Sequence, residues 1–307
     1  ALIYAKQGNQ PGALQLVSTK TLSREEWLNV RKQGIGASDA AAAIGLNPYQ
    51  SQLELWMIKT GRDGDMPKPD PNDESSPMYW GNVLEPIVAQ HYSRRTGYKV
   101  RKINSVLQHP DTDKSWMLAN LDYTVVGNDD VQILECKTAG EWGSKLWRDG
   151  VPDYVQCQVQ HQLAVTGKAA ADVCVLICGQ EIRIHRIERD DELIAKLIEL
   201  ERQFWHYVET DTPPPADGSA SSGNALKYLY PEDTGETLDF TQDTYLSEIF
   251  NQLLVARENI AREQKLEESF KQALQQRMGE ATRLQFAAGS VSWKKSKNGS
   301  RRFLVHV

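Results

Sequence analysis

The stretch Asp122-Tyr-Thr-Val-Val-Gly-Asn-Asp-Asp-Val-Gln-Ile-Leu-Glu135-Cys136-Lys137 predicts a β-hairpin. Leu118 to Val126 is rich in apolar and β-branched residues, and Val131 to Cys136 reads as a second strand. Between them, Gly127-Asn128-Asp129-Asp130 is a turn signal. Successive side chains on a strand point to opposite faces, so Glu135 and Lys137 share one face while Leu134 and Cys136 share the other. Asp122 stands near the start of its strand and Glu135 near the end of its own, which makes them level in an antiparallel pair. Two carboxylates and one ammonium are therefore expected at one end of the hairpin.

That trio suits phosphodiester hydrolysis. Hard divalent cations take oxygen ligands, commonly one or two carboxylates with water and substrate phosphate completing the shell. Such an ion polarises a phosphoryl oxygen, acidifies the attacking water and neutralises the departing alkoxide. Lys137 would orient that water or stabilise developing charge. A Glu-x-Lys pair on a half-exposed strand also serves as an ordinary solvated ion pair, so the flanking segments must decide.

Upstream, Ser23-Arg-Glu-Glu26 is a capping box opening a helix to about Lys32. Arg31-Lys-Gln-Gly34-Ile-Gly36-Ala-Ser38-Asp39 then leads through an alanine run into another helix, with Ser38 or Asp39 as its cap. Amides at a helix start attract phosphate, and Arg31 would reach the same place. Taken alone, the segment reads better as a plain helix cap than as a phosphate site, and as a dinucleotide fingerprint it lacks both the third glycine and a preceding strand. Residues 51–60 predict a helix and residues 62–77 a mobile loop. A helix over 82–96 follows Met78-Tyr79-Trp80-Gly81 and carries Glu85 on the same side as Val88 and Ala89, making Glu85 a candidate third acid. Tyr98 to Leu107 predicts a strand. Downstream, a helix over 153–166 carries Gln156, Gln158, Gln160 and Gln162, with Gln158 and Gln162 on the face of Tyr154. A further hairpin over 173–187 and a helix over 190–209 close this part.

Pro213 to Asn224 reads as a linker of prolines followed by small residues. Thr241 to Met278 then predicts a long helix, or two stacked ones, stopped by Gly279. Its Leu246, Ile249, Leu253, Ala256 and Ile260 stand at heptad spacing and are expected to pack on the core or on a neighbouring helix. The tail reads as two or three basic strands with an Asn298-Gly299 turn. The expected layout is thus an α/β (α+β) domain over 1–215 and a linker with a helical and β-strand appendage over 216–307.

The 307 residues allow one large domain or two ordinary ones, and 40% apolar with 25% charged content is that of a globular protein. No apolar run approaches a membrane span and no signal segment opens the chain, which predicts a cytoplasmic protein without a membrane partner. The four cysteines form no Cys-x-x-Cys pair and read as reduced core thiols rather than zinc or iron–sulfur ligands. A net charge of −6 runs against phosphate attraction, but basic residues cluster at Arg94–Lys102 and again beyond Thr282. Hydrolase triads built on Ser38 have no suitable histidine pattern.

Taken in order, Arg31, Ser38, Trp80-Gly81, Glu85, Asp122, Glu135-x-Lys137 and Gln158-Val159-Gln160 resemble the phage recombination exonucleases of the lambda-exonuclease or YqaJ type. These form a branch of the PD-(D/E)-x-K nuclease superfamily. The likeness runs from residue 21 to about 210, and Leu121 stands where the superfamily's proline would precede the first acid. The resemblance implies a restriction-endonuclease-like core, a central mixed sheet flanked by helices. It further implies Mg²⁺-dependent (or Mn²⁺-dependent) 5′→3′ digestion of linear double-stranded DNA in the bacterial host cell. The product would be a 3′ overhang for a phage single-strand annealing protein. By likeness, Asp122, Glu135 and the Cys136 carbonyl hold metal, Lys137 assists the nucleophile, and Glu85 and Gln158 complete the site. Arg31 and Ser38 match a 5′-phosphate pocket, Met78 matches a wedge at the terminal base pair, and the assembly is a ring-shaped homotrimer. Two alternatives stand beside this: a structure- or sequence-specific endonuclease of the same superfamily, and a non-catalytic DNA-binding assembly protein.

Overall fold

A computed structural model of the protein describes residues 12–307; the sequence predicts an extended arm over residues 1–20, and its residues 1–11 lie outside those described. The chain divides into two compact units, the first ending at Glu232 and the second spanning Asp233–Val307.

The first unit is the expected α/β body. Its strands are β1 (Leu14–Ser18), β2 (Lys99–Arg101), β3 (Ser105–Gln108), β4 (Leu118–Ala119), β5 (Tyr123–Val126), β6 (Ile133–Ala139), β7 (Ala170–Ile177) and β8 (Glu181–Glu188). Its helices are α1 (Arg24–Arg31), α2 (Ala40–Ala43), α3 (Gln52–Lys59), α4 (Pro77–Thr96), α5 (Asp153–Thr166), α6 (Asp191–Glu209) and α7 (Ala220–Leu229). A five-stranded mixed sheet runs β2-β5-β6-β7-β8, with β6 and β7 parallel and the other neighbours antiparallel. Helix α5 supplies the crossover that a parallel pair requires. Alternation along β6 explains the layering. Leu134 and Cys136 pack with Val88, Ala89 and Tyr92 of α4, whereas Ile133 lies in the larger core with Val155, Val159 and Leu163 of α5.

Two expected strands are each broken in two. Tyr98–Leu107 becomes β2 in the central sheet and β3 in a small β1-β3-β4 sheet; Leu118–Val126 becomes β4 in the small sheet and β5 in the central one. Neither break falls at a proline or glycine, so the run reads through it; the halves differ in the sheet that pairs with them. The expected hairpin forms by antiparallel pairing of Tyr123 with Leu134 and Thr124 with Ile133.

The boundary expected at residue 215 moves to 232. Residues 220–229 are not linker but helix α7, which packs on α3. Ser219 caps it, and Ser221 Oγ donates to Glu54 Oε2 at 2.8 Å. Small residues that look flexible in sequence are here what lets the helix lie close. The 62–77 loop keeps its irregular path to Ser76 but anchors Met66 in the core, and α4 begins at Pro77 rather than at Asn82. Three cysteines are buried or half-buried, while Cys178 is exposed in the β7–β8 turn.

The second unit comprises the single helix α8 (Thr244–Met278) and an antiparallel sheet ordered β11 (Arg301–His306), β10 (Gly289–Lys295), β9 (Arg283–Phe286). Arg301 stacks 3.8 Å from the Trp293 ring centroid and donates to the carbonyls of Gly279 and Ala281, tying the sheet to the end of α8. The heptad stripe does not pack as expected: Leu246, Ile249, Leu253 and Ile260 remain exposed. The small sheet reaches only the later turns of α8, where Phe270 and Leu274 line a groove with Phe303 and Val305.

Candidate active site

The break between β4 and β5 puts Asp122 where the chain steps from one sheet to the other. Extending the β5–β6 register by one residue sets it opposite Glu135, and its Oδ2 accepts the Cys136 N–H at 2.9 Å. Glu135 is 3% exposed, a costly place for a charge unless its oxygens are bonded. Lys137 Nζ lies 2.9 Å from Oε1, Gln158 Nε2 donates to Oε1 at 2.8 Å, and Gln162 Nε2 donates to Oε2 at 2.9 Å. Gln158 closes the circuit by accepting from Lys137 Nζ at 2.8 Å. The i, i+4 spacing on α5 thus delivers both amides to one carboxylate.

Glu85 of α4 joins Asp122, Glu135, Lys137 and Met78 around a cleft of about 260 Å³. Its carboxylate pairs with Lys102 Nζ at 2.9 Å, a partner that sequence spacing did not suggest. Burial, with Glu135 and Glu85 nearby, pushes the Asp122 carboxyl well above the usual carboxylate range; Lys137 opposes this only in part. Burial by itself would lower the Lys137 ammonium, but Glu135 and Asp122 outweigh it and keep the side chain protonated.

The cleft therefore concentrates acid that its two lysines leave incompletely neutralised. Among the described residues no three His, Cys, Asp or Glu side chains are gathered as a ready-made metal cluster, since Glu135 and Glu85 each turn toward a lysine. The donor chemistry nonetheless fits a hard divalent ion, which needs only one or two carboxylates with waters. Asp122 and Glu135 would hold it, and the Cys136 backbone borders the same cleft.

A second pocket of about 160 Å³ shares Asp122 with this cleft and is lined by Trp27, Arg31, Ser38, Asn120 and Gln158. Arg31, the last residue of α1, stacks 4.9 Å from the Trp27 ring and donates to Ser38 Oγ at 3.1 Å. The pocket's floor depends on a close approach. Ile35 N–H donates to Trp116 O and Leu118 N–H to Ile35 O, and a Cβ at Gly34 would stand 2.3 Å from Trp116 O. That ladder ties the Ser38 turn to β4, just upstream of Asp122. Asp39, rather than Ser38, caps the turn: its Oδ2 accepts the Gly36 N–H at 3.0 Å.

Arg31, Ser38, Met78, Glu85, Asp122, Glu135, Cys136, Lys137 and Gln158 are thus all brought to two adjoining hollows. Sequence reasoning missed Lys102, Asn120 and the partnership of Asp39 with buried Lys59. Asn120 carried a signal in standing two residues before Asp122; Lys59 carried none, because its neighbours are 28 and 20 residues away.

Residues 26–169 match the YqaJ-like viral recombinase domain. The chain is 38% identical over 251 residues to the uncharacterized protein YqaJ of Bacillus subtilis (strain 168), across 80% of this chain and 75% of that protein. Among solved structures it is similar to an alkaline exonuclease from Laribacter hongkongensis (TM-score 0.48, 26% identity, 61% of this chain and 93% of that one). A phage related exonuclease from Haemophilus somnus 129PT is also similar (TM-score 0.40, 13% identity, 60% and 99%). On the extent and identity of the Bacillus match, with the domain match inside it, the chain belongs to the YqaJ-like viral recombinase family.

Proposed function

We propose that the protein is a Mg²⁺-dependent exonuclease that digests one strand of linear double-stranded DNA from its 5′ end. The observation that carries this reading is the adjacency of two hollows of opposite character. The acid cleft suits a divalent ion and a scissile phosphodiester, and the Arg31–Ser38 pocket suits a terminal phosphate; both are bordered by Asp122, and Gln158 of the pocket bonds to Glu135 and Lys137 of the cleft. A bound Mg²⁺ would supply Lewis-acid activation of the phosphodiester and of water.

The chain's own groups have distinct tasks. Lys137, held protonated between Glu135 and Gln158, presents positive charge where negative charge develops on the reacting phosphate. Gln158 and Gln162 fix Glu135 by donating to one oxygen each; Lys137 also meets Oε1, so Oε2 is the oxygen with a lone pair to spare for coordination. Glu85 adds a third carboxylate on the α4 wall, and Met78, in the first turn of α4, is an apolar side chain at the cleft where it would wedge the terminal base pair.

The test is digestion of linear and closed circular duplex in Mg²⁺, with phosphorylated or hydroxyl 5′ ends. Linear, phosphorylated duplex should be shortened from the 5′ end to leave a 3′ overhang, and circles spared; cutting of circles favours an endonuclease instead. Arg31→Ala should lose activity selectively on phosphorylated ends, and equal loss on both removes the phosphate-pocket assignment. Lys137→Ala that retains full rate would favour a DNA-binding assembly role. A ring-shaped homotrimer would hold DNA topologically, which answers the net charge of −6; a monomeric sedimentation profile rejects it. The overhang would be handed to a single-strand annealing protein.

A further inference from the structure

Behind the Ser38 turn lies an ion cluster that the proposed chemistry does not use. Lys59 of α3 has a side chain only 2% exposed, among Leu53, Leu55, Trp56 and Met57, all buried. Its Nζ donates to Asp39 Oδ2 at 2.8 Å and to Arg31 O at 2.7 Å. Asp39 Oδ2 also takes the Gly36 N–H, while Oδ1 accepts Arg31 Nη2 at 2.9 Å. One carboxylate oxygen thus anchors the turn and the hidden ammonium; the other aims the guanidinium.

Stability alone is a poor reason for such a cluster, because apolar residues of similar volume usually replace buried ion pairs without loss. The charge count suggests a different use. Arg31 paired only with Asp39 would present no net charge to an incoming anion. With Lys59 holding the second oxygen, the three groups sum to one positive charge, and Arg31 is the member with substantial exposure, at 28%. A long, flexible arginine is also held in one rotamer between Asp39 and the Trp27 ring, so a ligand need not order it on arrival.

We propose that Asp39 and Lys59 are positioning residues for terminal-phosphate recognition. Asp39 orients Arg31, and Lys59 offsets the charge of Asp39 so that Arg31 keeps its attraction for a phosphate monoester. This inference rests on the reading of the Arg31–Ser38 pocket given above.

The experiment compares wild type, Arg31→Ala, Asp39→Asn, Lys59→Gln and the double variant Asp39→Asn/Lys59→Met as full chains. Kinetics are measured on linear duplex with 5′-phosphate or 5′-hydroxyl ends in Mg²⁺, alongside thermal melts. Losing one charge-assisted hydrogen bond should raise KM for phosphorylated ends about 10-fold in Asp39→Asn, with a much smaller change in kcat. The preference for phosphate over hydroxyl should fall accordingly. The double variant removes both buried charges; it should melt closer to wild type than Asp39→Asn yet recover none of the preference. Lys59→Gln keeps a donor to Asp39 and gives the same readout should the Asp39 variants fail to fold. Preference retained in any folded variant of Asp39 or Lys59, while Arg31→Ala loses it, overturns the positioning role alone. Recovery of preference together with stability in the double variant also overturns it, showing a purely structural cluster. Preference surviving in Arg31→Ala overturns the pocket reading and this inference with it.

Discussion

In the cleft at the end of β6, the carboxylates of Glu85, Asp122 and Glu135 meet the ammonium groups of Lys102 and Lys137; in the pocket beside Ser38, Arg31 and Lys59 meet the single carboxylate of Asp39. Both clusters are largely buried, both use short ion pairs, and Asp122 lines both hollows. Their balance is opposite. Excess acid, added to burial, drives the Asp122 carboxyl up, whereas excess cation overcomes burial and draws Asp39 down to about 2. Burial alone does not set the sign of a shift; the charge count around the buried group does. One hollow is thereby suited to a cation and its neighbour to an anion, as the proposed metal and 5′-phosphate sites require.

The largest expected effect breaks the cation-rich side. Lys59→Ala strands Asp39 without its buried partner, and removal of one member of such a pair costs about 3–5 kcal/mol; chemical denaturation should show a correspondingly earlier midpoint. Next comes the acid-rich side. Lys137→Ala should slow duplex digestion by about 100- to 1,000-fold, on the order of 2.7–4 kcal/mol of transition-state stabilisation. A residual rate close to wild type would mean that the cleft is not the reaction centre.

Acid titration sharpens the contrast in sign. Asp39 falls from 3.8 to about 2 on folding, so it adds stability above pH 3.8 that is lost as pH drops through 2. A shift of that size corresponds to about 2 kcal/mol. Asp122 is raised, so its ionisation costs stability as pH rises above 3.8. Metal-free Asp122→Asn should therefore melt higher than wild type at pH 7 although it is inactive, while Asp39→Asn melts lower. Melting shifts of the same sign for the two variants would erase the distinction. The smallest effect belongs to Lys102, half exposed and paired with Glu85. Such a pair is worth about 0–1 kcal/mol; Lys102→Met should leave the fold intact and shift the Mg²⁺ concentration for half-maximal rate downward by a few-fold at most.

The chain's local rules were readable where they act over a few residues. Period-two alternation put Glu135 and Lys137 on one face, and the i, i+4 rule put Gln158 and Gln162 together; the capping box at Ser23 formed as its spacing requires. Rules that depend on distant partners were not readable. Whether Leu118–Val126 is one strand or two turns on which sheet accepts each half, and no proline or glycine marks the step between them. Residues 213–224 have the composition of a linker, yet 220–224 form the first half of helix α7, which packs on α3.

Residue type and spacing, acting through backbone geometry alone, determined the hairpin, its acid–lysine end and the glutamine face of α5. Only the folded molecule decided that Lys102 meets Glu85, that Lys59 meets Asp39 from 20 residues away, and that the Ser38 turn is laced to β4 just upstream of Asp122. Those pairings are made by long-range packing, which brings together groups whose separation along the chain carries no period to read.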